Sequence, residues 1–507
     1  MGTGISRRSA LRVLGGASLG LAGIPDSHSG APQLARNAQA GPLRLQEDTR
    51  PNIVLIVADD MRADDLVDMP ATSALLASQG MRFDQFFVSV PSCAPSRASI
   101  LRGQYPQNHG VLRGGEQEWG FGLFHELGRE TSTIATWLHD AGYRTALFGK
   151  YLNNYPSGAD PDFVPPGWDE WAGVTGGGYE KFELNENGVR VSYKDPENFY
   201  ETDLLSAKAT DFVSRTAQSG NPFFLYLAPR ATHAKPVPAA RHKGAFASEP
   251  PYRPPSFNER GIETSRWAQG LPELNADEIA KIDAIYRARK ETLLALDELV
   301  ADLVAALELT GALDNTYVVF TSDNGYHLGE HRISSGKGTA YEEAIRVPLI
   351  IRGPGVPAGG VSMAVSSVID LAPTFATWAG VDNPSFVDGR ALEPVILGDL
   401  DGWRQAVLVQ LHRDNPDKVD GPPAFEALRG DAFVYVEYDD GLRELYDLSV
   451  DPYERSNLAP SADPDLMSAL SDWLAAVYAC SGDACHAADA AIPTSVEDFL
   501  SQRARGT

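Results

Sequence analysis

The sequence predicts an α/β fold, with a large, mixed and mostly parallel sheet sandwiched by helices, followed by a smaller C-terminal antiparallel sheet with a helix. First, runs of β-branched and aromatic residues alternate with helical patterns, which is typical of a largely parallel sheet. Second, past about residue 400, short alternating runs succeed one another with turn residues between them. Third, the length of 507 residues exceeds what one ordinary core covers.

Four apolar runs predict strands of the main sheet that are buried on both faces. These runs are 52–58, 144–148, 223–227 and 316–321. The helices between them include 132–141 and a long one over Ala276–Leu309, which begins after Asn275 as N-cap and stops at Gly311.

Two long segments lack this alternation and predict loops that cross the edge of the sheet, at 155–200 and 235–275. The C-terminal part carries three short alternating runs and then a helical pattern. These are 425–429, Phe433–Tyr438, 443–448 and Pro464–Tyr478.

The predicted organisation has three parts: an export signal with its linker at 1–40, a catalytic domain at 41–400 and an α+β subdomain at 401–507. Arg7 and Arg8 precede a weakly apolar stretch that ends near Ile24, and this order resembles a Tat export signal. The resemblance implies the bacterial Tat machinery as a partner and a periplasmic, cell-envelope or secreted location. A disordered basic tail is the alternative.

The rest of the chain contains no stretch long and apolar enough for a membrane helix, so we expect no transmembrane anchor. In an oxidising compartment Cys480 and Cys485 could close a small loop as a disulfide. A metal-binding pair is the alternative. Cys93, the only other cysteine, is then left for a separate role.

The formal net charge is −25 at pH 7. An acidic surface argues against a nucleic-acid partner. It also repels anionic ligands at long range, so any site for an anion must be locally cationic.

Polar groups come after the C-terminal ends of all four predicted strands of the main sheet. These groups are Asp59 and Asp60, Lys150, His233, and Asp323 and Asn324. Ligands bind at this edge of an open α/β sheet. The three acids and the amide supply four hard oxygen atoms, a set that suits Ca²⁺ or Mg²⁺. Asp64 and Asp65 are interpreted as surface or capping acids.

Cys93 opens the run Cys93-Ala94-Pro95-Ser96-Arg97. Proline suits the first turn of a helix, which places the thiol at a helix N-terminus, where an anion is favoured. Arg97 comes round on the same face one turn later. A buried structural cysteine is one alternative. A cysteine-dependent phosphatase is another, but the position six residues after the cysteine is Ser99 rather than arginine.

The run at Cys93 resembles the signature of the type I sulfatases, since Cys93, Pro95, Ser96 and Arg97 all match. Arg102 departs from the small residue usual in that family. The resemblance implies an alkaline phosphatase-like fold and oxidation of Cys93 to formylglycine by a formylglycine-generating enzyme. It also implies one Ca²⁺, bound by the modified residue 93 and by four further residues. These are Asp59, Asp60, Asp323 and Asn324.

The resemblance further implies roles for the cationic residues. Lys150 matches the family's Gly-Lys pair, His233 its histidine after a strand, and Lys337 its lysine after the second acid pair. Together with Arg97 they would bind the sulfate. One hydroxyl of hydrated formylglycine would attack sulfur, and His233 or Lys337 would protonate the leaving alcohol. The second hydroxyl would then expel sulfate.

The residues immediately after Lys150 indicate the kind of substrate. Many sulfatases place Trp-His there, whereas this chain has Tyr151 and no histidine, which resembles the glucosamine-6-sulfatase branch. We therefore expect a sulfate monoester of a carbohydrate, of the 6-O-sulfated glucosamine type. An arylsulfatase, a phosphonate monoester or phosphodiester hydrolase of the same superfamily, and a non-catalytic binder of sulfated glycans are the alternatives.

Overall fold

The computed structural model describes residues 49–112, 120–413 and 422–504. The predicted export signal and linker at 1–40 lie outside these residues. The predicted boundary between residues 400 and 401 stays a prediction.

The described strands form three sheets. In chain order the strands are β1 Asn52–Ala58, β2 Met81–Phe83, β3 Phe86–Phe87, β4 Arg144–Gly149, β5 Glu170–Gly177, β6 Phe182–Glu186, β7 Val189–Tyr193, β8 Phe223–Ala228, β9 Thr316–Ser322, β10 Leu349–Arg352, β11 Gly360–Ser362, β12 Ser366–Ser367, β13 Ala406–Leu411, β14 Phe425–Gly430, β15 Phe433–Tyr438 and β16 Arg443–Asp447. Ten of them form the main sheet in the order β11-β2-β10-β9-β1-β8-β4-β5-β6-β7.

The five central strands, from β9 to β5, run parallel, and the flanking pairs β9–β10 and β5–β6 are antiparallel. β1 alternates its side chains between two separate cores. Ile53 and Leu55 belong to one core, and Val54 and Ile56 to the other. This is the pattern of a sheet covered on both faces, and it explains why the run is apolar throughout.

Helices cover both faces of this sheet. In chain order the α-helices of the described residues are α1 Pro70–Thr72, α2 Cys93–Arg102, α3 Pro106–His109, α4 Phe121–Glu126, α5 Ile134–Asp140, α6 Glu201–Thr216, α7 Arg266–Gly270, α8 Ala276–Leu309, α9 Glu342–Ile345, α10 Leu371–Trp378, α11 Glu393–Leu397, α12 Pro464–Tyr478, α13 Ala484–Ala490 and α14 Thr494–Ala504. Residues of α2, α5 and α10 belong to one core, and residues of α6 and α8 to the other. Asn275 caps α8, its side chain accepting from the backbone N–H of Asp277 and Glu278.

The C-terminal part contains a four-stranded antiparallel sheet, β13-β14-β15-β16, and the predicted helix α12. One face of this sheet packs on α12 through residues such as Leu428 and Trp473. The other face, including Val409 and Val434, joins a core of the main sheet. The predicted fold class is therefore confirmed.

Two predictions need correction or completion. The segment 155–200 is not a loop, because β5, β6 and β7 within it extend the main sheet by three strands. By contrast, 235–275 contains a single short helix, α7. Within the described part of the chain, no helix combines the length and apolar character that a membrane span requires.

Candidate active site

The ends of β1 and β9 bring two predicted polar pairs together. The strands are parallel and in register up to Ala58 and Ser322. The residues after these ends are joined by hydrogen bonds: the Asp60 N–H donates to Asp323 Oδ1 at 3.0 Å, and Asn324 Nδ2 donates to Asp60 Oδ1 at 2.7 Å. Asp59, Asp60, Asp323 and Asn324 therefore form one buried cluster of side chains.

Asp60 adopts a left-handed backbone conformation, with φ of 64°. An aspartate tolerates this conformation better than most residues, but it still costs energy. Two contacts hold it: the Met61 N–H donates to Ser322 Oγ at 2.9 Å, and Arg289 Nη2 donates to the Asp60 carbonyl at 2.7 Å.

Cys93 is the first residue of α2, with the extended Ser92 as N-cap. Its Sγ lies 3.7 Å from Asp59 Oδ1 and 3.9 Å from Asp60 Oδ1, so the residue faces the acidic cluster. Burial raises the pKa of the Cys93 thiol to about 12. The encoded side chain is thus a neutral thiol at physiological pH, and a thiolate nucleophile is not favoured here.

Arg97 lies one turn further along α2 and is fully buried. Its Nε donates to Asp323 Oδ2 at 2.8 Å, and its Nη1 donates to the carbonyl of Lys150 at 2.9 Å. Nη2 lies 4.0 Å from Asp59 Oδ1. The guanidinium therefore connects the ends of three strands to the helix that carries Cys93.

Lys150 comes directly after β4 and donates to both carboxylate oxygens of Asp59, at 2.9 and 2.7 Å. Gly149, which precedes it, has φ of 113°. A Cβ at Gly149 would lie 2.1 Å from the Ala228 carbonyl oxygen. Only glycine permits this approach, which lets the Lys150 N–H donate to the same carbonyl at 2.8 Å.

Lys337 reaches the cluster from the loop after β9. Its Nζ donates to Asp60 Oδ1, to Asn324 Oδ1 at 3.1 Å and to Cys93 Sγ at 2.6 Å. His233 comes after β8 and stands further away, with Nε2 3.9 Å from Asp60 Oδ2. The structure thus brings all nine predicted catalytic and metal-site residues together around Cys93.

The positive charges of the site compensate its aspartates locally. Burial by itself raises the pKa of Asp59, but Lys150, His233 and Arg97 outweigh it and lower the pKa below its usual range. Burial lowers the pKa of Lys337, yet Asp60 and its neighbours raise it well above the ordinary value. Arg97, Lys150 and Lys337 therefore balance the charges of the buried aspartates, although the protein as a whole is acidic.

The donor set also fits a hard cation. Oxygen atoms of Asp59 and Asp60 belong, with Cys93 and His233, to a group close enough to share an ion. Asp323 and Asn324 adjoin this group through their hydrogen bonds with Asp60. Among the described residues, the ammonium group of Lys150 lies beside an Asp59 oxygen and that of Lys337 beside the Asn324 amide oxygen. Oxygen ligands of this kind are those that Ca²⁺ and Mg²⁺ prefer.

Other predicted residues lie outside the site. Asp64 is half-exposed and pairs with Arg62. Asp65 caps the next turn, accepting from the Arg62 N–H at 3.1 Å, and it is buried beside Arg289.

Arg102, the departure from the family signature, donates to the carbonyls of Arg129 and Ser132 and has a packing role. Cys480 and Cys485 are joined in a disulfide.

Comparisons with known proteins agree with this arrangement. A family model for sulfatases matches residues 51–381. The chain belongs to the sulfatase family. A model for the C-terminal part of N-sulphoglucosamine sulphohydrolase matches residues 329–477. The human N-acetylglucosamine-6-sulfatase is 33% identical over 477 residues, which cover 86% of this chain and 86% of that protein. The protein is therefore a sulfuric ester hydrolase.

Two solved structures are similar to this sulfatase. A structure of BT4656 in complex with its substrate D-glucosamine-2-N,6-O-disulfate has 25% identity and a TM-score of 0.73, covering 84% of this chain and 97% of that one. The phosphonate monoester hydrolase of Silicibacter pomeroyi has 26% identity and a TM-score of 0.63, covering 90% and 96%.

Arg289 is a site residue that the sequence analysis missed. It lies on α8, remote in sequence from every motif, and donates to the Asp60 and Thr232 carbonyls and to Asp65. A signal was present, because Arg289 lies seven residues after Ile282 and four before Leu293, on the buried stripe of the helix. A charged residue in that position needs a buried partner.

We expect Arg289→Gln to lower kcat for a sulfate ester about 10- to 100-fold, the usual effect of removing a group that orients a metal ligand. The Asp60 and Thr232 carbonyls would lose a fixed donor, while the acids themselves remain. Steady-state kinetics measure the effect, and circular dichroism verifies the fold. Arg287→Gln is the matched control, because Arg287 on the same helix donates to the Glu249 carbonyl, at 3.3 Å, away from the site. Equal losses in both variants would contradict the positioning role.

Proposed function

We propose that this sulfatase removes the 6-O-sulfate of a sulfated glucosamine-type carbohydrate, using formylglycine at position 93 and one Ca²⁺. The observation that carries the reaction type is the meeting of Cys93 with four oxygen ligands and three cations at one sheet edge. The sugar is supported by the human relative named for N-acetylglucosamine 6-sulfate and by the glucosamine disulfate complex of the similar structure.

Formylglycine is proposed because the encoded thiol does not suit the chemistry. Cys93 is a free, buried cysteine with a raised pKa. A thiol that attacked sulfur would be left as a thiosulfate ester with no second hydroxyl to release it. Hydrated formylglycine supplies one hydroxyl as the nucleophile and a second to release the sulfate. A formylglycine-generating enzyme is therefore a proposed partner.

Calcium is proposed for the cluster of Asp59, Asp60, Asp323 and Asn324. When bound, the ion would act as a Lewis acid on a sulfate oxygen and as a template for the nucleophile. The chain's own residues prepare the site: Arg97 fixes Asp323, and the Asp323 carboxylate in turn accepts from the Asp60 N–H. The residue at 93 sits at the start of α2, where the helix dipole favours negative charge.

The cations of the site have distinct tasks in the proposed reaction. Lys150 and Lys337 each place an ammonium group at the acidic cluster, one from the end of β4 and one from the loop after β9. A sulfate bound between them would find donors for the oxygens that gain charge as the ester bond breaks. His233 stands at the partly exposed side of the site and could donate a proton to the leaving alcohol.

Export by a bacterial Tat pathway is also proposed, with a periplasmic, cell-envelope or secreted location. The support is the Arg7-Arg8 pair before a weakly apolar stretch and the disulfide between Cys480 and Cys485. Disulfides persist in oxidising compartments.

The substrate proposal predicts a clear order of catalytic efficiency. The protein is co-expressed with a formylglycine-generating enzyme, and the release of sulfate is measured from N-, 3-O- and 6-O-sulfated glucosamines. We expect the highest kcat/KM for N-acetylglucosamine 6-sulfate. An aryl sulfate and an aryl phosphonate separate the competing functions, and Cys93→Ala is the inactive control. Highest efficiency on the phosphonate would favour the hydrolase represented by the Silicibacter pomeroyi structure. No turnover of any ester by fully modified enzyme would favour a glycan-binding protein.

The nucleophile proposal predicts a mass change at Cys93. Oxidation of the CH₂–SH group to an aldehyde makes the tryptic peptide about 18 Da lighter, by the oxidation chemistry open to cysteine. Across preparations with different degrees of modification, kcat should rise in proportion to the modified fraction measured by mass spectrometry. Full activity in protein whose Cys93 is wholly unmodified would contradict the mechanism.

The cation proposal predicts that Lys150→Ala and Lys337→Ala each lower kcat on the order of 10²-fold or more, the scale for loss of one preorganised donor. Lys235→Ala and Lys243→Ala are the controls, because both side chains are exposed. Steady-state kinetics on one sulfate ester measure all four variants. If the control lysines matter as much, the pocket has been assigned wrongly.

A further inference from the structure

We propose that the protein has a second cation site, in its interior, formed by His331, Glu343 and Glu454, and that this site binds a divalent first-row transition ion such as Zn²⁺. We refer to these three residues as the interior triad. None of them takes part in the catalytic cluster described above. The proposal does not depend on the proposed substrate or on formylglycine.

The three side chains of the triad lie close enough together to share an ion. One ligand atom from each of the three side chains lies within 4.8 Å of the other two. His331 and Glu454 are only 3% and 1% exposed. The ligands come from three separate segments: the loop after β9, the start of α9 and the segment after β16.

The triad contains polar atoms that have no partner among the described residues. His331 Nε2, Glu343 Oε2 and Glu454 Oε1 are all buried and accept or donate no hydrogen bond there. The first two atoms lie 3.9 Å apart. One buried polar atom without a partner costs free energy, and three in one small cluster indicate a missing common partner.

The neighbouring arginine side chains already pair with other glutamates. Arg62 pairs with Glu330 at 2.6 Å, and Arg429 pairs with Glu342 at 2.6 Å. Among the described residues Glu343 pairs with no arginine or lysine, and the charged-group contact that the structure gives it is His331 Nε2. One divalent ion would supply the positive charge that two ionised carboxylates in this position need.

The ligands are held in place from outside. The His331 ring stacks on Tyr341, with centroids 3.9 Å apart and an angle of 10° between the rings. The second oxygen of Glu454 accepts from the Glu342 N–H at 2.8 Å, and Oε1 has no hydrogen-bond partner among the described residues. Such outer contacts are those that orient the ligands of metal sites.

Of the three residues of the triad, Glu343 adjoins a cavity. This cavity has a volume of about 120 Å³ and is also lined by Asp64 and Tyr453. Tyr453 is 39% exposed, so the cavity reaches the protein surface. The cavity is more than large enough for a hydrated ion or its remaining water ligands.

The donor set selects the kind of ion. One imidazole and two carboxylates suit zinc and its first-row neighbours, which combine nitrogen and oxygen ligands and often keep one position for water. Calcium takes only oxygen ligands in most sites, so it is favoured by the catalytic cluster instead. The two sites should therefore differ in the metal that they retain.

The position of the triad gives the ion a structural task. The loop after β9 begins with Asp323 and Asn324 and carries Lys337 to the catalytic cluster. An ion at His331 would fasten this loop to α9 and to the segment after β16. We expect it to stabilise the loop that presents Lys337, without contacting the substrate.

The test uses the full chain with Cys93→Ser and His233→Ala together as background, because Asp59, Asp60, Cys93 and His233 form another group that could hold zinc. After treatment with a chelator, the protein is dialysed against a buffer in which Zn²⁺ is the only added divalent metal. Bound metal is measured by inductively coupled plasma mass spectrometry. We expect one equivalent of zinc, lost in His331→Ala and Glu454→Gln. Asp323→Ala, which alters the catalytic cluster, should keep it.

Glu393→Gln is the matched control, because both carboxylate oxygens of Glu393 are buried and without a partner among the described residues but lie outside any such cluster. It should keep the zinc equivalent. No retained zinc in the protein with Cys93→Ser and His233→Ala, or equal retention in the His331→Ala, Glu454→Gln and Glu393→Gln variants, would overturn the proposal. If the triad variants fail to fold, X-ray absorption of the zinc-loaded background protein decides: one imidazole with oxygen ligands supports the site, and any other set overturns it.

Discussion

The parallel pairing of β1 with β9 is the interaction on which the site depends. The register places Ala58 beside Ser322, so the next residues of both strands leave the sheet at the same level. Asp60 then reaches Asp323 through its backbone N–H and Asn324 through its carboxylate. A shift of one residue in this register would turn the acid pairs to opposite faces. The seven pairs of the ladder therefore fix the geometry of the oxygen cluster before any ligand binds.

Three buried carboxylates in one place would repel one another and lose hydration, which costs several kcal/mol per ion without compensation. The chain answers with cations that come from other elements: Arg97 from α2, Lys150 from the end of β4 and Lys337 from the loop after β9. These three cations balance the three aspartates, so the cluster is compensated locally although the protein has a net charge of −25.

The sequence contained enough information to predict the centre of the fold and most of the site. The apolar runs of β1 and β9 are long and unbroken, and each ends directly in its polar pair, so local pattern and tertiary role coincide. The segment with β5–β7 was misassigned, because β5 contains three glycines and its strands are specified mainly by pairing at the edge of the sheet. Arg289 and the interior triad escaped for a related reason: their partners come from distant segments. The one local signal, the position of Arg289 on the buried stripe of α8, does not identify those partners.

The C-terminal sheet also supports the active site, although it contributes none of the predicted catalytic residues. Arg429 of β14 pairs with Glu342 at the start of α9, and Glu454, from the segment after β16, accepts from the Glu342 N–H. The Tyr326 N–H, two residues after Asn324, donates to the carbonyl of the neighbouring Glu343 at 2.7 Å. The loop that presents Lys337 is thus anchored at both ends, by β9 on one side and by α9 with the C-terminal sheet on the other. Because catalysis needs preorganised donors, the rigidity of that anchor matters as much as the charge it presents. The C-terminal sheet therefore helps to hold Lys337 in place. It does so because one of its faces packs into a core of the main sheet.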